Sequence, residues 1–279
     1  YYKQGNDLLE AVRKTLERIE GSYALGVLCT DYPDQLIAAR KESPLIVGLG
    51  KGENFIASDI PAILNYTKDA YILGDRELAL VKADSVKLYD IEGNEIEREV
   101  YTYKWDVEAA QKNGYDHFML KEIFEQPKVV KDNLAKRFSE DGKSIELDGI
   151  KLGKAELENI NQIYIVACGT AYYAGLIGKY LLERIVRIPV NSDVASEFRY
   201  KDPLIDEHTL VIVISQSGET ADTHSALKLA KAKGARVLGI VNAVGSSIAR
   251  DADDVLYTLA GFEIAVASTK AFSAQVVAM

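Results

Sequence analysis

The sequence is poor in the residues and segments that mark several classes of protein. Only two cysteines, Cys29 and Cys168, occur in 279 residues. They are too few for a disulfide framework, so we expect a reducing, cytoplasmic environment. Apolar runs are as short as "LVIVI", far below the roughly 20 residues that cross a bilayer, and no secretory leader opens the chain. These shortages argue against a disulfide-stapled secreted domain and against a transmembrane protein.

Positive charge is also scarce. The chain has 33 Lys and Arg residues against 42 Asp and Glu, a net charge of −9, and this field repels nucleic acid and anionic membranes. We therefore expect neither as a partner, and an anionic ligand must be held by local donors. The hydrophobic content of 48% can build one or two cores. Because the chain begins with Tyr1 and ends within a helical pattern, we expect it to be part of a longer protein.

Residues 1–105 predict one helix followed by an antiparallel β region. The segment "NDLLEAVRKTLERIE" has one apolar face, with Asn6 or Asp7 as its cap and Gly21 as its stop. Seven strand patterns separated by turn residues follow. The apolar face comprises Leu8, Leu9, Val12, Leu16 and Ile19; the strand patterns are "SYALGVLCT", "QLIAAR", "PLIVGLG", "NFIAS", "AYILG", "ELALVKA" and "SVKLYDI", with a hairpin signal at Gly93.

The hydrophobic period changes twice in the remaining chain. Residues 106–155 are charged and predict a mostly helical connector, in which Pro127 should end one helix and open another. Residues 156–279 alternate apolar strands with helices, which predicts a parallel α/β sheet covered on both faces. The strand patterns there are "QIYIVA", "RIPVNSD", "LVIVI", "RVLGIVN" and "DVLYTL".

Two loops that follow these strands are rich in small hydrogen-bond donors. "CGTAY" (168–172) follows the first strand, and "SQSGET" (215–220) follows the strand "LVIVI". Ligands of open parallel sheets bind beyond the carboxyl ends of the strands, where a helix N-terminus favours an anion. Alternatively, the serines and threonines only cap the helices that follow. Glu219 must then point away from the anion or cap helix amides itself.

The glycine spacing of these loops differs from nucleotide-binding motifs. It is not a dinucleotide fingerprint, and no lysine follows Gly218 as a nucleotide phosphate loop requires. NAD and ATP are therefore not expected, and no cofactor or metal is assigned. A third polar cluster, "EIAVASTKAF" (263–272), has two interpretations. Either Ser268 caps a helix and Lys270 is exposed, or the cluster forms a wall of the same site with Lys270 near the anion.

The motifs together resemble a known family. "CGTAYYAG", "DVASEFRY", "ISQSGETADT", "VGSSIARDAD" and "EIAVASTKAF" are similar to the first sugar isomerase (SIS) domain of the glucosamine-6-phosphate synthases, the isomerising glutamine:fructose-6-phosphate aminotransferases. "AARKESPLIVGLGKGENFIASDIPAIL" resembles the later half of their glutaminase domain, and "FMLKEIFEQP" resembles their interdomain segment. The resemblance implies an incomplete N-terminal-nucleophile hydrolase-type α+β domain (1–105), a helical linker (106–155) and a truncated SIS domain (156–279).

The resemblance also implies a function and a set of site residues. The family makes glucosamine 6-phosphate from fructose 6-phosphate with ammonia from glutamine, as a homodimer. The phosphosugar-binding positions and the residues of the supporting loops carry over residue by residue. The former are Thr170, Ser215, Gln216, Ser217, Thr220 and Val266; the latter are Cys168, Gly169, Gly218, Ser268 and Lys270.

This chain departs from the family pattern at two positions and lacks its catalytic residues. Ala171 stands where the family usually has serine, which removes one hydroxyl donor, and Ala265 stands where relatives usually carry glycine. The family's nucleophilic cysteine lies upstream of Tyr1, and its second isomerase domain lies beyond Met279. We therefore assign no catalytic residue and expect the chain alone to be inactive.

Two further residues are expected to have structural roles. Cys29 is expected to be a buried structural residue and His224 a packed or solvated helix residue.

Two functions other than the aminotransferase remain open, and both use the same domain: a phosphosugar deglycase or isomerase, and a phosphosugar-sensing regulator. The glutaminase-like half argues against both, because neither needs a source of ammonia.

Overall fold

A computed structural model describes residues 1–60, 62–103 and 112–279. The chain divides into two compact units, residues 1–110 and residues 111–279, each with its own sheets. Among the described residues, no helix is both long and apolar enough to span a membrane.

The described residues of the first unit form one α-helix and nine strands. Helix α1 spans Leu8–Leu16, and the Asp7 carboxylate caps it by accepting from the Glu10 amide at 2.8 Å. The predicted stop at Gly21 is wrong, because the helix already ends at Leu16. Ile19 is exposed, so one more helical turn would not bury its side chain. All seven strand predictions are confirmed. The strands are β1 (Tyr23–Leu28), β2 (Gln35–Lys41), β3 (Ile46–Leu49), β4 (Asn54–Ala57), β5 (Asp69–Ile72), β6 (Glu77–Lys82), β7 (Val86–Tyr89), β8 (Glu95–Ile96) and β9 (Tyr101–Thr102).

These strands form two antiparallel sheets. Sheet A has the order β1-β2-β6-β7-β8, and sheet B has the order β4-β3-β5-β9. Strands β7 and β8 pair with Leu88 opposite Ile96. The Gly93 φ of +93° closes the connection between them, so the predicted hairpin is confirmed.

Side chains alternate along strand β2 between two apolar clusters of the first unit. Ile37 and Ala39 pack with Leu8 and Leu16 of α1, whereas Ala38 packs with Val47 of sheet B. Because successive residues of a strand point to opposite faces, sheet A is covered on one face by α1 and on the other by sheet B.

Helix α2 crosses the proline that was expected to divide it. It spans Phe118–Ala135 without interruption at Pro127. A proline in a helix interior removes one backbone donor, here the partner of the Ile123 carbonyl. The Gln126 side chain donates to that carbonyl instead, at 3.1 Å, so the helix continues. The prediction of two helices is wrong, and residues 106–111 of the expected connector lie outside the described residues.

The second unit is built on a five-stranded parallel sheet. Its strand order is β11-β10-β12-β13-β14, and every pairing is parallel. The predicted alternation of strands and helices is confirmed. The strands are β10 (Gln162–Ala167), β11 (Val190–Val194), β12 (Thr209–Ser215), β13 (Arg236–Val241) and β14 (Asp254–Tyr257); the helices are α3 (Lys154–Asn159), α4 (Gly169–Val186), α5 (Ala195–Tyr200), α6 (Ala221–Ala232), α7 (Ser247–Asp251) and α8 (Lys270–Ala278).

Both faces of this sheet are buried in apolar clusters. On β12, Val211 and Val213 pack with Leu227 of α6 and Ile248 of α7. On the opposite face, Ile212 and Ile214 pack with Ala171 of α4 and with the end of α8. The continuous apolar sequence of β12 is therefore the result of burial on two faces.

The outer strand β14 is fixed by a buried carboxylate, Asp254. Arg236 donates to Asp254 from Nε at 2.7 Å, and the Lys151 backbone amide donates at 2.6 Å. Burial raises the pKa of the Asp254 carboxyl, but these hydrogen bonds outweigh burial and hold the pKa below its ordinary value. The ionised carboxylate therefore stabilises the fold above its unfolded-state pKa, and this stabilisation is lost as the pH falls through the lower folded-state pKa.

We predict that Asp254→Asn lowers the free energy of unfolding by about 2–4 kcal/mol at pH 7, because it removes the buried charged partner of Arg236, which then retains its ion pair with the exposed Glu156. Urea unfolding measured from pH 7 to pH 2 checks this. The difference from the unsubstituted protein should persist to about pH 4, near the unfolded-state pKa, and shrink below it. Asp148→Asn, which alters an exposed carboxylate three residues before Lys151, should leave the free energy of unfolding almost unchanged. An unchanged difference at pH 2 would contradict the assignment.

Candidate functional site

The candidate site lies where the parallel sheet reverses its direction of growth. From β10 the chain first adds β11 on one side and then β12 on the other. In such sheets the crevice at the carboxyl ends of the two diverging strands binds ligands. Ala167 of β10 pairs with Ile214 of β12, so the loops that follow these two strands are neighbours. The structure therefore brings the two donor-rich loops of the sequence together.

The first loop, Cys168–Thr170, leads directly into α4. Gly169 has a φ of +56°, and Thr170 is exposed. No side chain caps the start of α4, so its first amides have no side-chain acceptor. Cys168 is half-buried, and its sulfur accepts from the Thr223 hydroxyl of α6 at 3.8 Å. This contact ties the first loop to the helix that follows the second.

The second loop, residues 215–220, is a tight turn held by its own hydroxyls. The Ser215 hydroxyl lies 2.9 Å from that of Thr220 and accepts from the Gly218 amide at 3.0 Å. The Ser217 hydroxyl accepts from the Glu219 amide at 3.1 Å and is exposed. These bonds close the turn on itself.

The alternative interpretation of this turn, in which its hydroxyls cap α6, is wrong. Thr220 stands at the cap position of α6, but its side chain makes no capping hydrogen bond because its hydroxyl is bonded to Ser215. The amides in the first turn of an uncapped helix carry a partial positive charge and need an acceptor. Both helices that start at the crevice thus offer free donors to an anion.

Glu219 is turned away from these donors. Its carboxylate accepts from the backbone amide and the hydroxyl of Ser247, each at 2.8 Å. Ser247 is the first residue of α7, so Glu219 caps a different helix from the one it precedes. An acidic residue can therefore occupy this turn without its carboxylate facing the free amides of α6. Asp222 in the first turn of α6 is exposed to solvent.

Asn242 is a connecting residue that the sequence analysis missed. Its backbone amide donates to the Gln216 carbonyl at 3.1 Å. Its side-chain oxygen accepts from the Ala260 amide at 2.8 Å, and its side-chain nitrogen donates to the Gly261 carbonyl at 2.7 Å. Asn242 therefore joins the second loop to the loop of residues 258–269. The sequence could have indicated this residue, because it directly follows β13 at the carboxyl edge of the sheet.

The loop of residues 258–269, here the third loop, is fixed by acidic side chains. The Glu263 carboxylate accepts from the Ser268 hydroxyl at 2.9 Å and from the Thr269 and Ala271 amides at 2.7 and 3.1 Å. Glu263, and not Ser268, thus caps α8, which corrects one expectation. Lys270 is buried and not exposed, with Nζ 2.5 Å from the Glu125 carboxylate of α2.

Four other residues singled out in the sequence also have defined places. Val266, at the tip of the third loop, is fully exposed. Ala171, where the family usually has serine, is buried in the apolar cluster beneath α4. His224 is packed, with Nε2 2.6 Å from the Asp251 carboxylate, as expected for a packed helix residue. Cys29 is only half-buried, less than expected.

We predict that Gly218→Ala disrupts the second loop. Gly218 has a φ of +66°, and an added Cβ would overlap the buried Ser246 hydroxyl. Gly142 has the same φ of +66°, but its Cβ would meet nothing within 4 Å. Gly142→Ala should therefore cost only the backbone term, about 1 kcal/mol, and Gly218→Ala about 1–3 kcal/mol more, from the overlap. Equal losses in urea unfolding would contradict this geometry.

Comparisons with known proteins agree with the fold and show which proteins the sequence resembles. Residues 156–279 match the SIS domain family. The chain is 63% identical over all its 279 residues to the glutamine--fructose-6-phosphate aminotransferase [isomerizing] of Clostridium tetani and 61% identical to that of Caldanaerobacter subterraneus, and it covers 46% of each. The chain therefore spans about half the length of these curated relatives.

A solved structure shows the same similarity. The C-terminal domain of glucosamine-fructose-6-phosphate aminotransferase from Francisella tularensis superposes with a TM-score of 0.57 at 43% identity, over 60% of this chain and 47% of that one. The chain carries a SIS domain, and it matches the glutamine--fructose-6-phosphate aminotransferases along its whole length.

Proposed function

We propose that the protein carrying this chain is an isomerising glutamine--fructose-6-phosphate aminotransferase, which makes glucosamine 6-phosphate from fructose 6-phosphate and glutamine. Relatives of that name match all 279 residues at 63% and 61% identity. Within the reaction, the crevice between β10 and β12 binds the sugar phosphate. The chain contributes substrate binding, and neither catalytic centre lies within it.

The observation that carries this proposal is the pair of helix starts at the crevice. Neither α4 nor α6 has a side-chain cap, and the loops before them lie side by side. Their free amides and helix dipoles suit a phosphate group without any lysine or arginine. Neutral donors are also what an acidic chain needs, since its overall charge of −9 repels an anion at longer range.

Each proposed binding residue has a role that its environment permits. Thr170 and Ser217 are exposed at the crevice and donate hydroxyl hydrogens to the phosphate. The bond between Ser215 and Thr220 uses one of their two hydroxyl hydrogens, so the other remains for a phosphate oxygen. Gln216 bonds sugar hydroxyls.

The third loop supplies the remaining sugar contact, and the supporting residues shape all three loops. The backbone at Val266 borders the sugar. Cys168, Gly169 and Gly218 set the turns of the first two loops. Ser268 and Lys270 hold the third loop through their contacts with Glu263 and Glu125.

The rest of the chain is assigned by resemblance to the same enzymes. Residues 1–105 are the later half of a glutaminase domain of the N-terminal-nucleophile hydrolase type, and its two antiparallel sheets are compatible with such a fold. Residues 106–155 connect it to the SIS domain of residues 156–279. The protein works as a homodimer in the cytoplasm.

Kinetics of the intact protein test the proposal. It should form glucosamine 6-phosphate only when both fructose 6-phosphate and glutamine are present. Ser217→Ala and Thr170→Val should each raise KM for fructose 6-phosphate by about ten- to a hundred-fold, because a hydrogen bond to a charged group contributes about 1.5–3 kcal/mol. Ser139→Ala removes a hydroxyl in a loop between α2 and α3 and should leave KM unchanged.

Other results would support different functions. Cleavage or isomerisation of a sugar phosphate without any need for glutamine would favour a deglycase or isomerase. Tight phosphosugar binding without product formation would favour a regulator. Unaltered KM in both Ser217→Ala and Thr170→Val would show that the phosphate binds elsewhere.

A further inference from the structure

Helix α2 reaches the third loop through one buried carboxylate, that of Glu122. Glu122 is 2% exposed. Its Oε1 accepts from the backbone amides of Ile264 and Ala265, at 2.6 and 3.1 Å. Its Oε2 is buried without a hydrogen-bond partner among the described residues. Burying a carboxylate costs free energy unless it is hydrogen-bonded. The two bonds from the backbone amides offset that cost and hold the Glu122 side chain in place.

The same face of α2 carries three further contacts, to α8 and to Ala260 of the third loop. Glu125 pairs with the buried Lys270 at 2.5 Å, and the Ser273 hydroxyl donates to Gln126 at 2.6 Å. Val129 packs with Ala260, Ala271 and Ala274. Positions 122, 125, 126 and 129 share one helical face. Glu122 is the member of this face that bonds to the loop backbone itself.

These bonds define the shape of the third loop around Val266. Glu122 fixes the two residues immediately before Val266, and the Glu263 carboxylate fixes Ser268 and Thr269, two and three residues beyond it. Val266 is fully exposed between these two anchors. Its backbone is therefore held in one position although its side chain contacts nothing that would hold it.

We propose that Glu122 is a positioning residue of the phosphosugar site, which fixes the backbone at Val266 against the sugar. The inference rests on the proposed function, because it assumes that the third loop borders the substrate. Asn242 joins the third loop to the phosphate-binding turn, so both loops meet the same ligand. Helix α2 thus sets the sugar end of the site, while the helix starts of α4 and α6 set its phosphate end.

Two substitutions of matched size separate positioning from packing. Glu122→Met keeps the length of the side chain and removes its acceptors, whereas Glu122→Gln retains an oxygen that can accept from both amides. In the intact protein, Glu122→Met should weaken fructose 6-phosphate binding about ten-fold or more, and Glu122→Gln should stay within about three-fold of the unsubstituted protein. Calorimetric titration measures both, and hydrogen exchange at residues 264 and 265 should accelerate only in Glu122→Met.

Val129→Ala is the control for a loss of packing. It removes apolar contacts of α2 with α8 and with Ala260 near the start of the third loop but leaves the Glu122 bonds to residues 264 and 265 intact, so it should lower the unfolding temperature without changing binding or the exchange of residues 264 and 265. If Glu122→Met does not fold, the unsubstituted protein still tests the inference. Its amides at residues 264 and 265 should exchange slowly, and fast exchange there would overturn the role of Glu122.

The remaining outcomes separate this inference from the proposed function. If the unsubstituted protein does not bind fructose 6-phosphate, the proposed function fails, and this inference fails with it. If it binds and Glu122→Met binds equally well, only the positioning role is overturned. Equal weakening by Glu122→Met and Glu122→Gln would also overturn it, because the acceptor would then be irrelevant.

Discussion

Burial of the parallel sheet on both faces is the constraint on which the rest of the second unit depends. Val211, Ile212, Val213 and Ile214 of β12 are all buried, alternately beneath helices on opposite sides. Both faces of the sheet are packed with apolar side chains, so the polar residues that could bind a ligand lie at the strand ends. Since all strands run in one direction, the loops that begin α4, α6 and α7 lie at one edge. The candidate site is the polar edge of an otherwise apolar layer.

At that edge, acidic side chains are bonded to backbone amides. Glu219 accepts from the start of α7, Glu263 from the start of α8, and Glu122 from the third loop. Each carboxylate is thereby directed away from the crevice. The amides at the starts of α4 and α6 have no such partner. An acidic chain can in this way present an anion site without positive side chains, because its carboxylates satisfy other helix ends.

The sequence predicted the strands and the donor loops well because both depend on local patterns. The apolar runs within "QLIAAR" and "LVIVI" correspond to β2 and β12. Predictions that depended on which side chain pairs with which group were wrong. Pro127 was expected to break a helix, but Gln126 supplies the missing donor. One interpretation made Ser268 the cap of α8, whereas Glu263 accepts from the amides there. Lys270 is buried because Glu125, 145 residues away, pairs with it.

The central claim is that a phosphate group occupies the crevice between β10 and β12, held by the uncapped starts of α4 and α6. A crystal structure of the intact protein with fructose 6-phosphate tests it most directly. The account predicts phosphate oxygens within hydrogen-bond distance of the Ser217 hydroxyl, the Thr170 hydroxyl and the first amides of both helices. A sugar phosphate bound with its phosphate away from both helix starts would contradict the account.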